Sequence, residues 1–177
     1  MEAMESLRYP VGRVEIPEII NNEQINEWIH TIETFPDDVA AQIAEMTSEE
    51  LQYKYRPDGW TVHQVVNHCM DSHTNSVVRF KWTLTEDVPT IKAYREERWA
   101  ELHDTLAYDP KETVLLLKGL HQRWVFLLKS LTQTQLERAY VHPEKGATYN
   151  LKQTICQYAW HCRHHLNHIM NAKKYKY

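Results

Sequence analysis

Apolar residues recur at helical spacing in four long stretches of the chain. In residues 151–177 they return every three or four positions with no proline or glycine between them, which is typical of an amphipathic helix. Similar stripes predict helices that begin near Asn22, at Val62 and just after Asp109, where Pro110 takes the first helical position. Four such helices with little strand signal predict an all-α protein, a four-helix bundle.

Three segments depart from this spacing. Residues 1–22 are interpreted as an N-terminal arm that two prolines and a glycine keep extended. Pro36 is expected to break or kink the first helix, and residues 140–150, which contain another proline and glycine, are expected to be irregular. The length suits one domain, so we expect residues 1–177 to form a single unit.

Composition and charge argue against several classes of protein. The formal charge is −4, from 20 basic and 24 acidic side chains, so neither nucleic acid nor an acidic membrane surface is an expected partner. The N-terminus has no apolar signal-peptide core, and the longest apolar runs are too short to span a bilayer. The chain has an odd number of cysteines, and they lack the Cys-x-x-Cys spacing of metal sites: Cys69, Cys156 and Cys162. This indicates reduced thiols and a cytoplasmic protein.

Four histidines fall close together in the last predicted helix. His161 and His165 are four residues apart, so they share one face, as the two ligands of a helical His-x-x-x-His metal pair do. His164 and His168 form a second such pair, rotated by about 100° around the helix. Because His165 lies in line with the apolar stripe, we expect the first pair to face the core and the second to face solvent or a flank.

A third ligand has to come from another helix, because catalytic zinc sites take three protein ligands and leave one position open. His68 is the best candidate, since it lies on the flank of the apolar stripe of the second predicted helix. His73 is rotated away from that flank, and Cys69, a soft-ligand alternative, points about 100° from His68. Spacing alone leaves a metal site and ordinary packed histidines as open alternatives.

Two histidine-containing segments resemble the DinB/YfiT-like superfamily and are closest to its YfiT branch. The residues that carry the resemblance are Gly59-Trp60-Thr61-Val62, Gln64-Val65-Val66, His68 and Asp71-Ser72-His73 in the first segment, and Trp160-His161, His164-His165 and His168-Ile169 in the second. Both segments occur in the family's order, and the resemblance covers nearly the whole chain.

The resemblance implies a fold, a metal site and an oligomeric state. It implies a DinB-like four-helix bundle and a homodimer in which each subunit holds one divalent ion, zinc with nickel as the alternative. By position, the implied ligands are His68, His161 and His165. YfiT-type relatives are described as metal-dependent hydrolases, and some are linked to S-transfer with low-molecular-weight thiols such as bacillithiol.

The expected function is a metal-dependent hydrolase of a small-molecule substrate, with an open metal position for activated water. The first alternative is metal-dependent transfer of a low-molecular-weight thiol to an electrophile, and the second is a non-catalytic metal-binding bundle. No glutamate lies between His161 and His165, so the helical metalloprotease pattern is absent and no general base is assigned. Trp60 and Trp160 are the two tryptophans placed to line a pocket beside the histidines.

Overall fold

The computed structural model describes residues 2–177, with side chains from Met4 onward; Met1, the first residue of the predicted arm, lies outside the described residues. The described chain is mostly helical, which confirms the predicted all-α four-helix bundle. The helices are α1 (Glu2–Arg8), α2 (Asn22–Ile43), α3 (Val62–Thr85), α4 (Glu96–Trp99), α5 (His103–Ala107), α6 (Pro110–Lys129), α7 (Gln133–Leu136) and α8 (Leu151–Tyr175), and a hairpin consists of β1 (Ala139–His142) and β2 (Ala147–Asn150). None of the described helices is both long and apolar enough to cross a membrane.

Each long helix begins at a side chain that caps its free backbone N–H groups. Thr61 and Gln64 form reciprocal hydrogen bonds at the start of α3, and Asn150 and Gln153 do so at the start of α8. The same arrangement opens α2, and Asp109 caps α6. Because such a cap is worth about 1 kcal/mol, the sequence determines where the two histidine-bearing helices, α3 and α8, begin.

The four long helices pack around one core. α2 packs against α6 and α8, and α3 packs against the same two helices. Each long helix contributes a fully buried side chain to this core, namely Phe35, Phe80, Leu117 and Ile155 in chain order. Burial of such a side chain stabilises the fold by roughly 1.5–3 kcal/mol. Since α3 lies directly on α8, histidines on their facing sides can meet.

The expected break at Pro36 does not occur. The helix runs through Pro36 from Asn22 to Ile43, because the fixed φ of proline is compatible with a helix and one backbone hydrogen bond is lost. The missing N–H would have bonded the carbonyl of Ile32. That carbonyl instead accepts a hydrogen bond of 2.6 Å from Nδ1 of His121 on α6, which replaces the bond that the proline removes.

Residues 139–150 form a β-hairpin where the sequence predicted an irregular segment. β1 and β2 pair antiparallel, with Ala139 opposite Asn150. Gly146 adopts the left-handed conformation that the turn needs, with a φ of 58°. Asn150 is also the N-cap of α8, so this short sheet leads directly into the histidine-rich helix.

The N-terminal arm is not extended throughout, contrary to the prediction. It begins with the short helix α1, since the prolines and the glycine come only after Tyr9 and leave the preceding residues free to become helical. Beyond α1 the chain follows α8. Trp160 Nε1 donates a hydrogen bond of 3.0 Å to the carbonyl of Gly12, and His168 Nε2 lies 3.2 Å from the carbonyl of Arg8. The arm therefore covers one side of the histidine-rich helix.

Candidate metal centre

Three histidines from two helices converge where α3 and α8 face each other. His68 comes from α3, and His161 and His165 come from successive turns of α8. One ring nitrogen of each lies within 4.8 Å of the others, and the Nε2 atoms of His68 and His161 are 3.4 Å apart. The structure thus brings together the three residues that the family resemblance implied as ligands.

This spacing fits a tetrahedrally coordinated divalent ion. Two nitrogens that each lie about 2.0–2.1 Å from a zinc ion at tetrahedral angles are roughly 3.3–3.4 Å apart, which is the separation of the two Nε2 atoms. The donor set of three imidazoles suits zinc, nickel and similar transition metals. The three side chains could therefore hold one such ion.

Burial keeps these imidazoles neutral. It lowers the pKa of His68 from 6.5 to about 4, with the nearby His164 adding to the effect. It also lowers the pKa values of His161 and His165 well below the usual range, and neighbouring histidines are further causes. A neutral imidazole is the form that ligates a metal ion, so the site suits a cation at neutral pH.

A chain of hydrogen-bonded histidines runs from His161 into the core. Nδ1 of His161 lies 3.0 Å from Nε2 of His73, and Nδ1 of His73 lies 2.7 Å from Nε2 of His121. The chain ends at the carbonyl of Ile32, which is 2.6 Å from Nδ1 of His121. Both supporting histidines are neutral at pH 7, since burial lowers the pKa of His121 to about 4 and that of His73 well below 6.5.

The carbonyl at the end of this chain fixes every tautomer in it. A carbonyl can only accept a hydrogen bond, so Nδ1 of His121 carries its proton and Nε2 of His121 accepts from Nδ1–H of His73. By the same argument, Nε2 of His73 accepts from Nδ1–H of His161. The Nε2 lone pair of His161 is therefore free and lies towards His68, as a metal ligand requires.

The sequence interpretation missed this chain. It placed His73 away from the site and did not single out His121. His73 indeed lies outside the three-histidine group, but it contacts one of its members. The signal that could have revealed the chain is Pro36, because a proline inside a helix leaves one carbonyl free for a side chain of another element.

A second group of histidines lies on the neighbouring face of α8. His164, His165 and His168 also have ring nitrogens within 4.8 Å of one another, and Nδ1 of each is buried without a hydrogen-bond partner among the described residues. His164 and His168 lie on a flank of α8, which is one of the two expected positions, but both are buried, so the solvent-facing alternative is wrong. The ring of Tyr55 stacks on His168 at 3.7 Å between centroids, and that of Tyr9 lies 6.0 Å from His164. Burial lowers the pKa of His164 to about 4 and that of His168 to about 3.

The three converging histidines open onto a cavity of about 980 Å³, the size of a small-molecule site. Trp60 and Trp160 line it, in agreement with the sequence interpretation. Charged side chains of both signs also line it, and Arg79 is one of them. The cavity therefore combines aromatic surface with polar groups beside the candidate ligands.

The hydroxyl group of Ser72 lies beside the free nitrogen of His161. Oγ of Ser72 is 3.4 Å from Nε2 of His161. The Tyr158 hydroxyl donates a hydrogen bond of 3.2 Å to the backbone carbonyl of Ser72. The sequence interpretation did not single out Ser72 as part of the site, although its position four residues after His68 puts both on one face of α3.

The chain's own thiols lie outside both histidine groups. Cys69, Cys156 and Cys162 are free and buried, and no cysteine or carboxylate belongs to a potential metal-binding group among the described residues. Burial raises the pKa of the Cys69 and Cys162 thiols, so neither is a ready nucleophile. The cysteines therefore pack as small core residues, and Cys69, the soft-ligand alternative, belongs to neither histidine group.

Fold and site together define a helical bundle that could hold one divalent metal ion through histidines. The chain belongs to the DinB superfamily, which it matches over residues 31–169. A protein of Bacillus cereus (strain 03BB102) is 46% identical over 172 residues, which cover 97% of this chain and 98% of that protein. A protein of Bacillus mycoides (strain KBAB4) is similar to the same extent, and both are named "putative metal-dependent hydrolase".

Solved structures show the same fold. YfiT from Bacillus subtilis, described as a probable metal-dependent hydrolase with an unusual four-helix bundle topology, matches with a TM-score of 0.93 at 40% identity. That match covers 96% of this chain and 97% of YfiT. A mycothiol-dependent maleylpyruvate isomerase matches with a TM-score of 0.57 at 14% identity over 82% of this chain and 60% of that chain, and shares the fold alone. The predicted family and fold are thereby confirmed.

Proposed function

We propose that this protein is a metal-dependent hydrolase of a small-molecule substrate, with its ion held by His68, His161 and His165. The observation that carries the proposal is the 3.4 Å spacing between the Nε2 atoms of His68 and His161, together with the fixed lone pair of His161. The names of the Bacillus relatives support the reaction type. The ion we propose is zinc, with nickel as the alternative, one per subunit.

The chain's own residues supply binding, orientation and a confined space. When bound, a divalent ion at three neutral imidazoles supplies a Lewis acid that lowers the pKa of water towards ~7. The hydrogen bond from Nδ1 of His161 to His73 holds the ligand ring in place. Oγ of Ser72 lies next to that ring and can hydrogen-bond a polar atom of the substrate. The surrounding cavity, with Trp60 and Trp160 in its wall, encloses the substrate beside the histidines.

Thiol transfer is the second candidate. No described carboxylate is hydrogen-bonded to the three histidines, and attack by water benefits from a base that takes its proton. A thiol ionises more readily beside a cation, so it depends less on such a base. Because the chain's cysteines are buried, this thiol would be a free low-molecular-weight compound. A metal-binding bundle without catalytic activity is the third candidate.

Activity of the metal-loaded protein separates these candidates. We expect zinc-loaded protein to hydrolyse members of an ester and amide panel, and we expect metal-free protein and the His161→Ala variant to be inactive. Turnover that required both a thiol and an electrophile would favour S-transfer instead. If fully loaded protein turned over neither the esters and amides nor the thiol with an electrophile, the non-catalytic metal-binding bundle would be the remaining candidate.

We also propose, from the family resemblance, that the protein is a homodimer with one site per subunit. The single domain over residues 1–177 and the cytoplasmic location stay predictions from the sequence. The candidate ligands all come from α3 and α8 of one chain, so the metal proposal does not depend on these points.

A further inference from the structure

Arg79 is a buried cation without an anionic partner. The residue is 8% exposed, and its Nε is buried with no hydrogen-bond partner among the described residues. The one hydrogen bond that its guanidinium makes within the described chain runs from Nη1 to the Tyr158 hydroxyl, at a long 3.5 Å. None of the ion pairs between described residues includes Arg79.

A guanidinium withdrawn from water normally finds strong acceptors. Even Arg138, which is only partly buried, donates to the backbone carbonyls of Thr83 and Glu86 at 2.6 and 2.7 Å. A buried charge without such partners is destabilising. Arg79 therefore has hydrogen-bonding capacity that a molecule from outside the chain can use.

Arg79 faces the same cavity as the candidate metal ligands. Both Arg79 and His68 line it, and they lie three helical turns apart on one face of α3, with Cα atoms roughly 16 Å apart. Helix side chains lean towards the N-terminus, so the arginine leans towards His68. The Tyr158 hydroxyl meets Arg79 and donates to the carbonyl of Ser72. Oγ of Ser72 in turn lies 3.4 Å from Nε2 of His161.

The carboxylates in the cavity wall do not neutralise Arg79. Four carboxylates line the cavity, those of Asp58, Glu96, Glu97 and Glu144, and no ion pair between described residues joins any of them to the arginine. Burial raises the pKa of Glu96, with Glu97 and Glu144 adding to the shift and Lys145 opposing it. Glu96 therefore interacts with Glu97, Glu144 and Lys145, and Arg79 is not among the causes of its raised pKa.

We propose that Arg79 binds a carboxylate of the substrate while the reacting group of the same molecule lies at His68, His161 and His165. A guanidinium presents paired N–H donors that match the two oxygens of a carboxylate. The inference rests on the proposed function for the reacting end of the substrate and on Arg79 for the other end. It narrows the substrate class to small carboxylic acids whose reacting group is several bonds away from the carboxylate.

A pair of metal-directed probes tests the assignment. Adipic acid monohydroxamate carries a hydroxamate for the ion and a free carboxylate, and the corresponding terminal amide is its neutral match. Calorimetry on zinc-loaded protein is expected to show the carboxylate probe binding at least about tenfold more tightly than the amide, as a hydrogen bond to a charged group provides. Equal affinities of the two probes for the wild-type protein would overturn the proposal.

Three variants identify the residue responsible. Arg79→Gln is expected to abolish the preference for the carboxylate probe and to bind the amide probe as the wild type does. Arg79→Lys, which keeps the charge but not the paired donors, is expected to retain an intermediate preference. Arg13→Gln is the matched control, because Arg13 lines the same cavity but is exposed and paired with Glu5 at 2.7 Å; it is expected to keep the full preference. A full preference in Arg79→Gln would overturn the proposal.

Thermal stability of the metal-free protein tests carboxylate binding at Arg79 independently of metal binding. Glutarate is expected to raise the melting temperature of the wild type and of Arg13→Gln but not of Arg79→Gln, because a ligand that binds only the folded state stabilises it. A larger shift with inorganic phosphate than with glutarate would overturn the carboxylate assignment. Failure of the wild type to bind zinc, with the glutarate response intact, would overturn only the proposed function.

Stability without ligand distinguishes a binding residue from a structural one. Arg79→Met is expected to be at least as stable as the wild type, since it replaces an unpaired buried charge by an unbranched apolar side chain. A clear fall in the melting temperature of Arg79→Met would show that the arginine holds the fold together, and would overturn the proposal.

Discussion

The Nε2 lone pair of His161 is directed by a hydrogen-bond chain that ends at a backbone carbonyl. Pro36 is the origin of this chain, since its missing N–H leaves the carbonyl of Ile32 without a helical donor. His121 donates its Nδ1–H to this carbonyl in place of the missing N–H. His73 donates to His121 and accepts from His161, so the tautomer of His161 is fixed as well. A proline in α2 thus helps to determine which nitrogen a histidine in α8 offers to a metal ion.

His73→Phe is expected to weaken zinc binding about 10- to 100-fold, the usual effect of removing the hydrogen bond that orients a ligand histidine. Phenylalanine keeps an aromatic ring against Phe35 and Trp124, whose ring centroids lie 5.3 and 5.8 Å from that of His73. Competition with a chromophoric chelator measures the affinity. Nitrogen-15 NMR of the metal-free protein reads the tautomer of His161, which we expect to be fixed as Nδ1–H in the wild type but not in His73→Phe.

His30→Phe is the control for this experiment. It makes the same substitution at an exposed position of α2, so zinc affinity and the His161 tautomer should both stay as in the wild type. The orienting role would be refuted if His73→Phe kept wild-type affinity. It would also be refuted if metal-free wild-type protein carried the His161 proton on Nε2.

The sequence predicts the ligand candidates but not the residues that orient them. Helix geometry alone puts His161 and His165 on one face, and the apolar stripe shows which face is buried. The contact between His73 and His121 joins residues 48 positions apart on different helices. Spacing along a single helix carries no information about a contact between side chains of two different helices.

At the scale of elements, the N-terminal arm contributes to the burial of the second histidine group. The carbonyl of Arg8 meets His168, and that of Gly12 meets Trp160. Periodicity assigned His164 and His168 to solvent or a flank because it describes one helix in isolation. The segment that covers them comes from the other end of the chain, and no local pattern in α8 indicates it.

In a shortened variant that starts at Arg13 and lacks most of the arm, we expect His164 and His168 to become exposed. Burial lowers their pKa values to about 4 and about 3, so removal of the arm should raise both towards 6.5. NMR titration of the histidine side chains measures the change. Arg8→Ala is the control, because it keeps the backbone carbonyl that meets His168, and both pKa values should stay low. Unchanged pKa values in the shortened chain would contradict the covering role of the arm.

The long helices were predictable because their signals are local. Thr61 caps α3 and Asp109 caps α6 at the expected positions. The hairpin was missed because strands of four residues carry too little alternation to be distinguished from irregular chain. Pro36 was misjudged for a different reason: the sequence shows the missing donor but not His121, which replaces it.

At the scale of the whole molecule, the interior holds many neutral imidazoles. Burial is the first cause of the lowered pKa in His68, His73, His121, His161, His164, His165 and His168. Between pH 6.5 and about 4 the unfolded chain protonates these groups while the folded chain does not, so the unfolded state binds more protons. The free energy of unfolding therefore falls as pH decreases through this window, by up to about 1.4 kcal/mol per pH unit for each imidazole.

Metal-free protein is accordingly expected to lose stability steeply as the pH falls from 6.5 towards 4. Thermal denaturation across this range measures the loss. Zinc-loaded protein should keep its stability down to a lower pH, because the ion binds the folded state and competes with protons for the same nitrogens. A melting temperature of the metal-free protein that did not change across the window would contradict the burial of neutral histidines.

Metal content per protomer tests the central claim most directly. Elemental analysis of zinc-loaded, dialysed protein should find one ion in the wild type and in His164→Ala. Little metal is expected in His68→Ala, His161→Ala and His165→Ala, since two monodentate imidazoles hold a divalent ion weakly. His164 is the matched control, because it adjoins a proposed ligand but belongs to the other histidine group. A full site in His68→Ala together with an empty site in His164→Ala would contradict the account and assign the ion to His164, His165 and His168.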